Sequence, residues 1–217
     1  MKPVVYGLSH HTASLEVREA LAVTPETLPQ ALNALAQQAG QGVILSTCNR
    51  SEFYTLAPDL ADGRAAVAGF VEEFFRIPFS AVAGAFYGYE LEACARHLFR
   101  VASGLDSLIL GESEILGQVR DAFGAAVAAK TVANPLSHLF HHALRAGKRV
   151  RRETGVGRHP LSVSFACVDL ARRALGDLRG RRALVVGAGE AGKLAARALR
   201  SVGVGDLLVA NRTPARA

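Results

Sequence analysis

Residues 181–213 read RRALVVGAGEAGKLAARALRSVGVGDLLVANRT. An apolar segment at 183–186 leads into GAGEAG, which fits the pattern G-x-G-x-x-G and opens an alanine-rich helix. A second apolar segment follows, so the order is strand, glycine-rich turn, helix, strand. Glycines in such a turn let the backbone approach a pyrophosphate at the helix N-terminus. The stretch predicts the first part of an α/β Rossmann-type nucleotide-binding domain; a purely structural glycine turn is the alternative.

The end of the second strand bears on the choice of cofactor. No carboxylate follows residues 207–210 to hold a ribose 2′-hydroxyl, whereas Arg212 can pair with a 2′-phosphate. This favours NADPH over NADH, with a plain surface arginine as the alternative. The predicted cofactor site comprises Gly187, Ala188, Gly189, Glu190, Ala191, Gly192, Asn211, Arg212 and Thr213.

The N-terminal part alternates strand-like and helix-like segments. We predict the order β-α-β-β-α-β, which matches a ferredoxin-like sandwich within an α+β domain. Helices then dominate up to a linker at 155–160. The predicted strands are 3–8, 42–47, 52–56 and 81–88. The first predicted helix begins at Pro25, after an N-cap Thr24, and ends near Gly40. The second runs from an N-cap Asp62 to Phe75. The remaining predicted helices cover 90–102, 112–129, 135–153 and 161–175.

Composition limits the class of protein. The chain has 217 residues, half of them hydrophobic, and no run of about 18 uncharged apolar residues that would cross a membrane. Its N-terminus is too short and polar for a secretory signal. Three cysteines form an odd count without metal-ligand spacing, so we expect reduced thiols, a cytoplasmic location and no metal.

Charge is distributed unevenly along the chain. Residues 1–137 carry 9 Lys/Arg and 14 Asp/Glu, a net charge of −5, whereas residues 138–217 carry 16 and 5, a net charge of +11. A basic half of this size suggests a polyanionic partner, either nucleic acid or a phosphate-rich cofactor. A solvated charged face is the alternative.

Cys48 follows an apolar strand in the sequence Thr47-Cys48-Asn49-Arg50. A thiol at a strand end beside a cation is well placed for nucleophilic chemistry, and we expect Arg50 to favour the thiolate. An inert buried cysteine remains the alternative. Cys94 and Cys167 lie at apolar helical positions and are predicted to be core residues.

His97 is the candidate proton carrier, since it lies beside the apolar stripe of helix 90–102. A structural histidine is the alternative. His138, His141 and His142 lack a carboxylate or cysteine to complete a metal site, and we predict that they lie on a helix surface.

Five segments together resemble the glutamyl-tRNA reductase family, and the resemblance extends from Tyr6 to the last residue. The cysteine loop and GESEILGQV are specific in combination, while the glycine turn occurs in many families. The segments are GLSHHTASLEVREAL (7–21), STCNRSEFY (46–54), GLDSLILGESEILGQV (104–119), GKRVRRETGVGRHPLSVSFA (147–166) and VVGAGEAG (185–192).

The resemblance implies roles for individual residues. Cys48 matches the family's nucleophile and His97 its functionally important histidine. Substrate contacts match Thr47, Cys48, Asn49, Arg50, Ser107, Glu112, Ser113, Glu114 and Gln118, and the nucleotide turn matches Gly187–Gly192. It also implies a domain at 1–156 for catalysis and glutamyl-tRNA recognition, then a connecting helix and an incomplete Rossmann domain at 157–217.

The implied reaction is the NADPH-dependent reduction of glutamyl-tRNA to glutamate-1-semialdehyde through a Cys48 thioester, in tetrapyrrole (porphyrin) biosynthesis. Family members are homodimers with a C-terminal dimerisation domain that this sequence lacks, and glutamate-1-semialdehyde aminomutase is an implied partner. Because the sequence also lacks the strands beyond the second of the nucleotide-binding domain, we expect this chain to bind NADPH poorly and not to dimerise. The alternatives are a shikimate-dehydrogenase-like oxidoreductase, which would need no thiol, and a non-catalytic RNA- or nucleotide-binding fragment.

Overall fold

A computed structural model describes residues 1–112, 114–157 and 163–213. Two separate hydrophobic cores lie within these ranges. The larger core extends from Val5 to Ala143, and the smaller one gathers around Val168, Leu178, Ala198 and Val204. No helix in the described ranges is long and apolar enough to cross a bilayer.

The larger core is built on a four-stranded sheet with the order β2-β3-β1-β4. Every neighbouring pair of strands in it is antiparallel. This order confirms the predicted ferredoxin-like arrangement, in which the two strands joined by a tight turn occupy one side of the sheet. The strands are β1 (Lys2–Ser9), β2 (Gly42–Ser46), β3 (Arg50–Ala57) and β4 (Tyr87–Glu90).

Helices pack on both faces of this sheet. In chain order, the helices of this part of the chain are α1 (Leu15–Ala20), α2 (Leu28–Ala39), α3 (Leu60–Phe70, continued by a π-helical turn at Val71–Phe75), α4 (Phe79–Val82), α5 (Leu91–Ala102), α6 (Glu114–Ala128) and α7 (Leu136–Glu153). A short 3-10 turn at Gly155–Gly157 follows α7.

Strand β3 shows why both faces are buried. Successive side chains of a strand point to opposite faces. Phe53 packs against Phe70 of α3 with ring centroids 5.2 Å apart, whereas Tyr54 meets Phe140 of α7 edge-on at 5.1 Å. All eight residues of β3 are buried, so its polar side chains must find partners inside the protein.

Two predicted helix starts are wrong by about one turn. Residues 25–27 form a turn closed by the Thr27 N–H on the Thr24 carbonyl at 3.1 Å, so α2 begins only at Leu28. Helix α3 begins at Leu60, because Asp59 accepts the Asp62 N–H at 2.9 Å and is therefore the N-cap. Aspartates three residues apart can each cap a helix, and only the fold chooses between them.

The segment 81–88 was predicted as a strand but contains three kinds of structure. Helix α4 ends at Val82, a 3-10 turn covers Ala83–Ala85, and only Tyr87 and Gly88 belong to β4. Phe79 and Phe86 pack together with centroids 5.1 Å apart, which stabilises the helical turn. The short helix α1, capped by Ser14, was not predicted.

The smaller core confirms the predicted strand, turn, helix and strand. The β5 and β6 strands pair in parallel, and α8 packs against α9. A parallel pair needs a crossover, which α9 supplies. The elements are α8 (Val163–Leu175), β5 (Ala183–Val186), α9 (Glu190–Ser201) and β6 (Leu207–Ala210).

Candidate active site

Cys48 lies at the tip of the hairpin between β2 and β3. The Thr47 N–H donates to the Arg50 carbonyl at 2.8 Å, and the Asn49 N–H donates to Thr47 Oγ1 at 3.1 Å. The Asn49 carbonyl accepts the His10 N–H at 2.8 Å from the end of β1. The loop is therefore held from inside and from a neighbouring strand, while Cys48 remains exposed.

The electrostatic surroundings of this thiol differ from those predicted. Partial burial raises the pKa of Cys48, and the charges of Glu112 and Glu114 raise it further. A hydrogen bond from the Cys48 backbone N–H and, to a smaller extent, the charge of Arg18 oppose them. The prediction that Arg50 makes this loop favour the thiolate is therefore wrong: the pKa is raised, and the opposing charge comes from another element.

Arg50 lies beneath the loop with its side chain 1% exposed. Its Nη1 donates to Glu52 Oε1 at 2.6 Å, and its Nη2 donates to the Asp106 carbonyl at 2.6 Å and to Asp106 Oδ2 at 3.1 Å. Residues 50, 52 and 54 share one face of β3, which explains the contact between Arg50 and Glu52. Both terminal nitrogens of this guanidinium are therefore already occupied by oxygens of Glu52 and Asp106.

Glu52 is the centre of a buried polar cluster. Its Oε1 accepts hydrogen bonds from Arg50, from the Tyr87 hydroxyl at 2.5 Å and from His97 Nε2 at 2.8 Å, and its Oε2 accepts the Tyr54 hydroxyl at 2.6 Å. Burial alone would raise the pKa of Glu52, but the charge of Arg50 and the hydrogen bonds from His97 and Tyr54 outweigh it and hold the pKa below its usual range. The carboxylate is therefore ionised at neutral pH.

His97 is brought into this cluster from α5. Its ring lies between those of Tyr87 and Tyr89, with centroid distances of 5.2 and 5.1 Å. An ionised carboxylate can only accept hydrogen bonds, so His97 Nε2 carries a hydrogen and donates a hydrogen bond to Glu52 Oε1. The remaining nitrogen, Nδ1, is the atom of His97 that is left to exchange a proton with another group.

A loop at 104–112 leads from α5 to α6 and carries Asp106. Gly104 and Gly111 adopt positive φ angles of 76° and 80°, and the Gly111 N–H donates to the Gly104 carbonyl at 2.8 Å. Arg151 of α7 donates to the Gly111 carbonyl at 3.2 Å and to the Glu112 carbonyl at 2.5 Å. The two ends of the loop are thus held together, and Asp106 between them contacts Arg50.

The other predicted substrate contacts lie on this loop and at the start of α6. Ser107 has a buried Oγ without a partner among the described residues. Glu112 is half-buried, Glu114 is exposed, and Gln118 is half-buried one turn further along α6. Ser113 lies outside the described residues.

The glycine turn before α9 suits a close approach of a ligand. Gly187 has a φ of 103°, and its N–H donates to the Ala210 carbonyl at 2.7 Å. A Cβ at Gly192 would collide with the Gly187 carbonyl oxygen, so the helix can start this close to β5 only with glycine there. Gly189 is the N-cap residue of α9, which turns the first N–H groups of that helix outward.

Residues after β6 complete this turn. Asn211 Oδ1 accepts the Ala188 N–H at 3.3 Å, and Asn211 Nδ2 donates to the Thr213 carbonyl at 2.8 Å. Arg212 is exposed and lines a cleft of about 570 Å³ together with Gly187 and Asn211. None of the described residues lining the cleft is acidic. The group of side chains fits a phosphate; of Glu190 only the backbone is described.

The remaining cysteines and histidines separate into core and surface. Cys94 is buried, as predicted, whereas Cys167 is exposed, contrary to the prediction. Its neighbour Val168 supplies the buried face of α8, so Cys167 points elsewhere. No cluster of metal-ligating side chains occurs in the described ranges. The three histidines of α7 are exposed, as predicted: His138, His141 and His142.

Sequence reasoning missed Arg18, Glu52, Tyr87 and Asp106. Glu52 carried a usable signal, because it sits two residues from Arg50 in a strand and must face the same way. Arg18 and Tyr87 had no such signal, since their contacts with Cys48 and Glu52 span 30 and 35 residues.

Comparison with known proteins gives consistent results for both parts of the chain. The family model "Glutamyl-tRNAGlu reductase, N-terminal domain" matches residues 6–154, and the model "Shikimate / quinate 5-dehydrogenase" matches residues 169–217. Glutamyl-tRNA reductases of Pelobacter propionicus and Geobacillus thermodenitrificans are each 44% identical, over 100% and 98% of this chain and 50% and 47% of their own lengths.

A solved structure is also similar. Glutamyl-tRNA reductase from Methanopyrus kandleri superposes with a TM-score of 0.65 and 36% identity, covering 99% of this chain and 50% of that chain. The chain thus spans about half the length of the curated relatives it matches.

Proposed function

This chain belongs to the glutamyl-tRNA reductase family, and from that premise we propose that it accepts the glutamyl group of glutamyl-tRNA on Cys48. The observation that carries the proposal is the exposed thiol at the tip of a hairpin whose backbone is held by hydrogen bonds on both sides. A rigid loop that presents a soft nucleophile is what acyl transfer requires.

The acyl transfer involves one bond made and one bond broken. The Cys48 thiol gives its proton to Nδ1 of His97, which carries no hydrogen while Nε2–H is held by Glu52. Sulfur bonds to the ester carbonyl carbon, and the carbon–oxygen bond to the tRNA ribose breaks. The ribose oxygen takes up a proton and the tRNA leaves, so that a glutamyl thioester remains on Cys48. His97 is our candidate for donating that proton from Nδ1, because Glu52 holds Nε2.

Recognition of the glutamyl group uses charges on both sides of the loop. We assign the side-chain carboxylate to Arg50, where it replaces Asp106, and the α-ammonium to Glu112 or Glu114, whose charges already act on Cys48. Polar contacts come from Thr47, Asn49, Ser107, Ser113 and Gln118 in this proposal.

NADPH is the proposed reductant, and when bound it supplies the hydride that converts the acyl group to glutamate-1-semialdehyde. The glycine turn leaves room for a pyrophosphate at the N-terminus of α9, and Arg212 offers a cation for the 2′-phosphate. The match to shikimate dehydrogenases at 169–217 supports this cofactor unit, while the cysteine loop distinguishes the reaction.

Trapping the acyl group tests the proposal. The chain is incubated with radiolabelled glutamyl-tRNA without NADPH, denatured and treated with hydroxylamine, which cleaves thioesters. We expect label on the protein that hydroxylamine removes, and an equal yield from Cys167→Ala, which lacks the other exposed thiol. Absence of protein-bound label, or label that resists hydroxylamine, would contradict the proposal.

A further inference from the structure

Arg18 contacts the nucleophile loop from the short helix α1. Its Nη1 donates to the backbone carbonyl of Cys48 at 2.7 Å, across 30 residues of sequence. Helix α1 follows β1 and is capped by Ser14, whose hydroxyl accepts the Val17 N–H at 3.4 Å. The hydrogen bond therefore connects the tip of the β2–β3 hairpin to the short helix that follows β1 in the sequence.

The charge of Arg18 is left unneutralised, unlike that of Arg50. Arg50 pairs with Glu52 and Asp106, whereas Arg18 has no ion pair with any residue that the structure describes. The Nε of Arg18 is enclosed and has no hydrogen-bond partner in the same ranges. The positive charge of this guanidinium can consequently act on the neighbouring thiol of Cys48.

The charge of Arg18 acts on the thiol of Cys48. The charged side chains that act on its sulfur are Arg18 from α1, Glu112 from the loop before α6 and Glu114 from α6 itself. Burial and the two glutamates disfavour the thiolate, whereas a hydrogen bond from the Cys48 backbone N–H and the charge of Arg18 favour it, so Arg18 is the charged side chain that opposes them. An attack on an ester needs the thiolate, and the opposing charge is therefore chemically useful.

We propose that Arg18 is a positioning residue for the nucleophile: it holds the Cys48 loop by the backbone carbonyl and favours the thiolate during acyl transfer. This inference rests on the proposed function, in which Cys48 attacks the glutamyl ester. It deepens that function by assigning the activating cation to α1 rather than to the loop itself.

The test is the pH dependence of Cys48 alkylation by iodoacetamide, followed by mass spectrometry of each cysteine peptide. Cys167 is exposed and lies on α8, beside the smaller hydrophobic core, so it serves as an internal reference in the same sample. Because the thiolate is the reacting form, we expect Arg18→Gln to raise the midpoint for Cys48 and to slow its alkylation at neutral pH by about 3- to 10-fold. Arg18→Lys keeps the charge and should stay near the natural midpoint.

Controls separate charge from structure. Arg64→Gln removes an exposed cation that stacks over Phe79 and should leave both cysteines unchanged. If Arg18→Gln does not fold, Arg18→His replaces it, since a histidine with the ordinary pKa of about 6.5 is mostly neutral above about pH 7.5 and keeps a donor. An unchanged Cys48 midpoint in a folded neutral variant would overturn the proposal. The assay contains no tRNA, so this outcome would leave the acyl-trapping result, and with it the proposed function, standing.

Discussion

Arg50 Nη1 and Glu52 Oε1 lie 2.6 Å apart, with side-chain exposures of 1% and 0%. The two residues occupy alternate positions of β3 and face the interior between the sheet and α5 and α7. Tyr54, Tyr87 and His97 provide the other donors to Glu52. The ion pair therefore ties the nucleophile loop to the candidate proton carrier through a single carboxylate.

Removing this carboxylate charge should destabilise the fold. Glu52→Gln leaves Arg50 buried with only Asp106 as its counterion, and breaking a buried pair typically costs about 3–5 kcal/mol. Urea denaturation measures the free energy of unfolding. The matched control is Glu92→Gln, whose exposed pair with Arg96 should contribute less than about 1 kcal/mol. Equal losses in the two variants would contradict the role of Glu52.

The same residue predicts a pH dependence of stability. The folded pKa of Glu52 is depressed, so its contribution is fully present above the unfolded value of about 4.3 and is lost as pH falls towards the folded value. The free energy of unfolding should therefore drop more steeply below about pH 5 in the natural chain than in Glu52→Gln. Parallel profiles for the two proteins would show that Glu52 is not the responsible group.

The three cysteines should respond differently to substitution. Cys48→Ser should abolish acyl transfer from glutamyl-tRNA and leave the fold intact, because the side chain is exposed. Cys94→Ala should only lower stability, since burial raises the pKa of Cys94 to about 12 and keeps it an inert thiol. Cys167→Ala should change neither property. Single-turnover tRNA deacylation and thermal unfolding measure the two effects, and full thioester formation in Cys48→Ser would end the assignment of Cys48.

Selection of glutamate should depend on the fork of Arg50. Arg50→Lys replaces a guanidinium that can hold Glu52 and the substrate carboxylate through different nitrogens by a single ammonium, so discrimination between glutamyl-tRNA and a glutaminyl-charged tRNA should fall more than tRNA affinity does. The comparison requires a folded protein, because Lys must also replace Arg50 in the contacts with Glu52 and Asp106. Discrimination that stays at the natural level would show that another group reads the carboxylate.

We propose that the cationic face of α7 contacts the RNA backbone. Arg145, Lys148, Arg149 and Arg152 are exposed on one side of the helix, while Ala143 and Gly147 are buried on the other. Changing Arg145 and Arg149 to Gln should weaken tRNA binding and reduce the slope of log affinity against log salt by roughly 1–2 units. Filter binding at several salt concentrations measures this slope, with Arg64→Gln as the control. A slope that does not change would leave these residues as solvated surface.

The strand and helix order could be predicted because it follows from local patterns. Apolar runs such as 42–47 and amphipathic spacing such as that of 90–102 report burial without knowledge of the partner. The start of α2 was misplaced because residues 25–27 form a turn and the helix begins without a side-chain cap, whereas the start of α3 was misplaced because Asp59 rather than Asp62 caps that helix. Tertiary packing decides between such neighbours.

The candidate site was predictable in its residues but not in its electrostatics. Arg50 was correctly placed next to the thiol in sequence, yet the strand turns its side chain inward towards Glu52. The hydrogen bond from Arg18 to Cys48 joins two elements that no periodicity connects. Which charges lie near Cys48 depends on contacts between residues distant in sequence. The sequence alone therefore indicated Arg50, rather than Arg18, as the cation that favours the thiolate.

The central claim is that Cys48 carries the glutamyl group, and mapping the adduct tests it most directly. The chain is incubated with glutamyl-tRNA, quenched in acid, digested at low pH and analysed by tandem mass spectrometry. We predict a glutamyl adduct on the peptide containing Cys48 and none on those containing Cys94 or Cys167. An adduct on either other cysteine, or an unmodified Cys48 when the tRNA has been deacylated by the protein, would contradict the account.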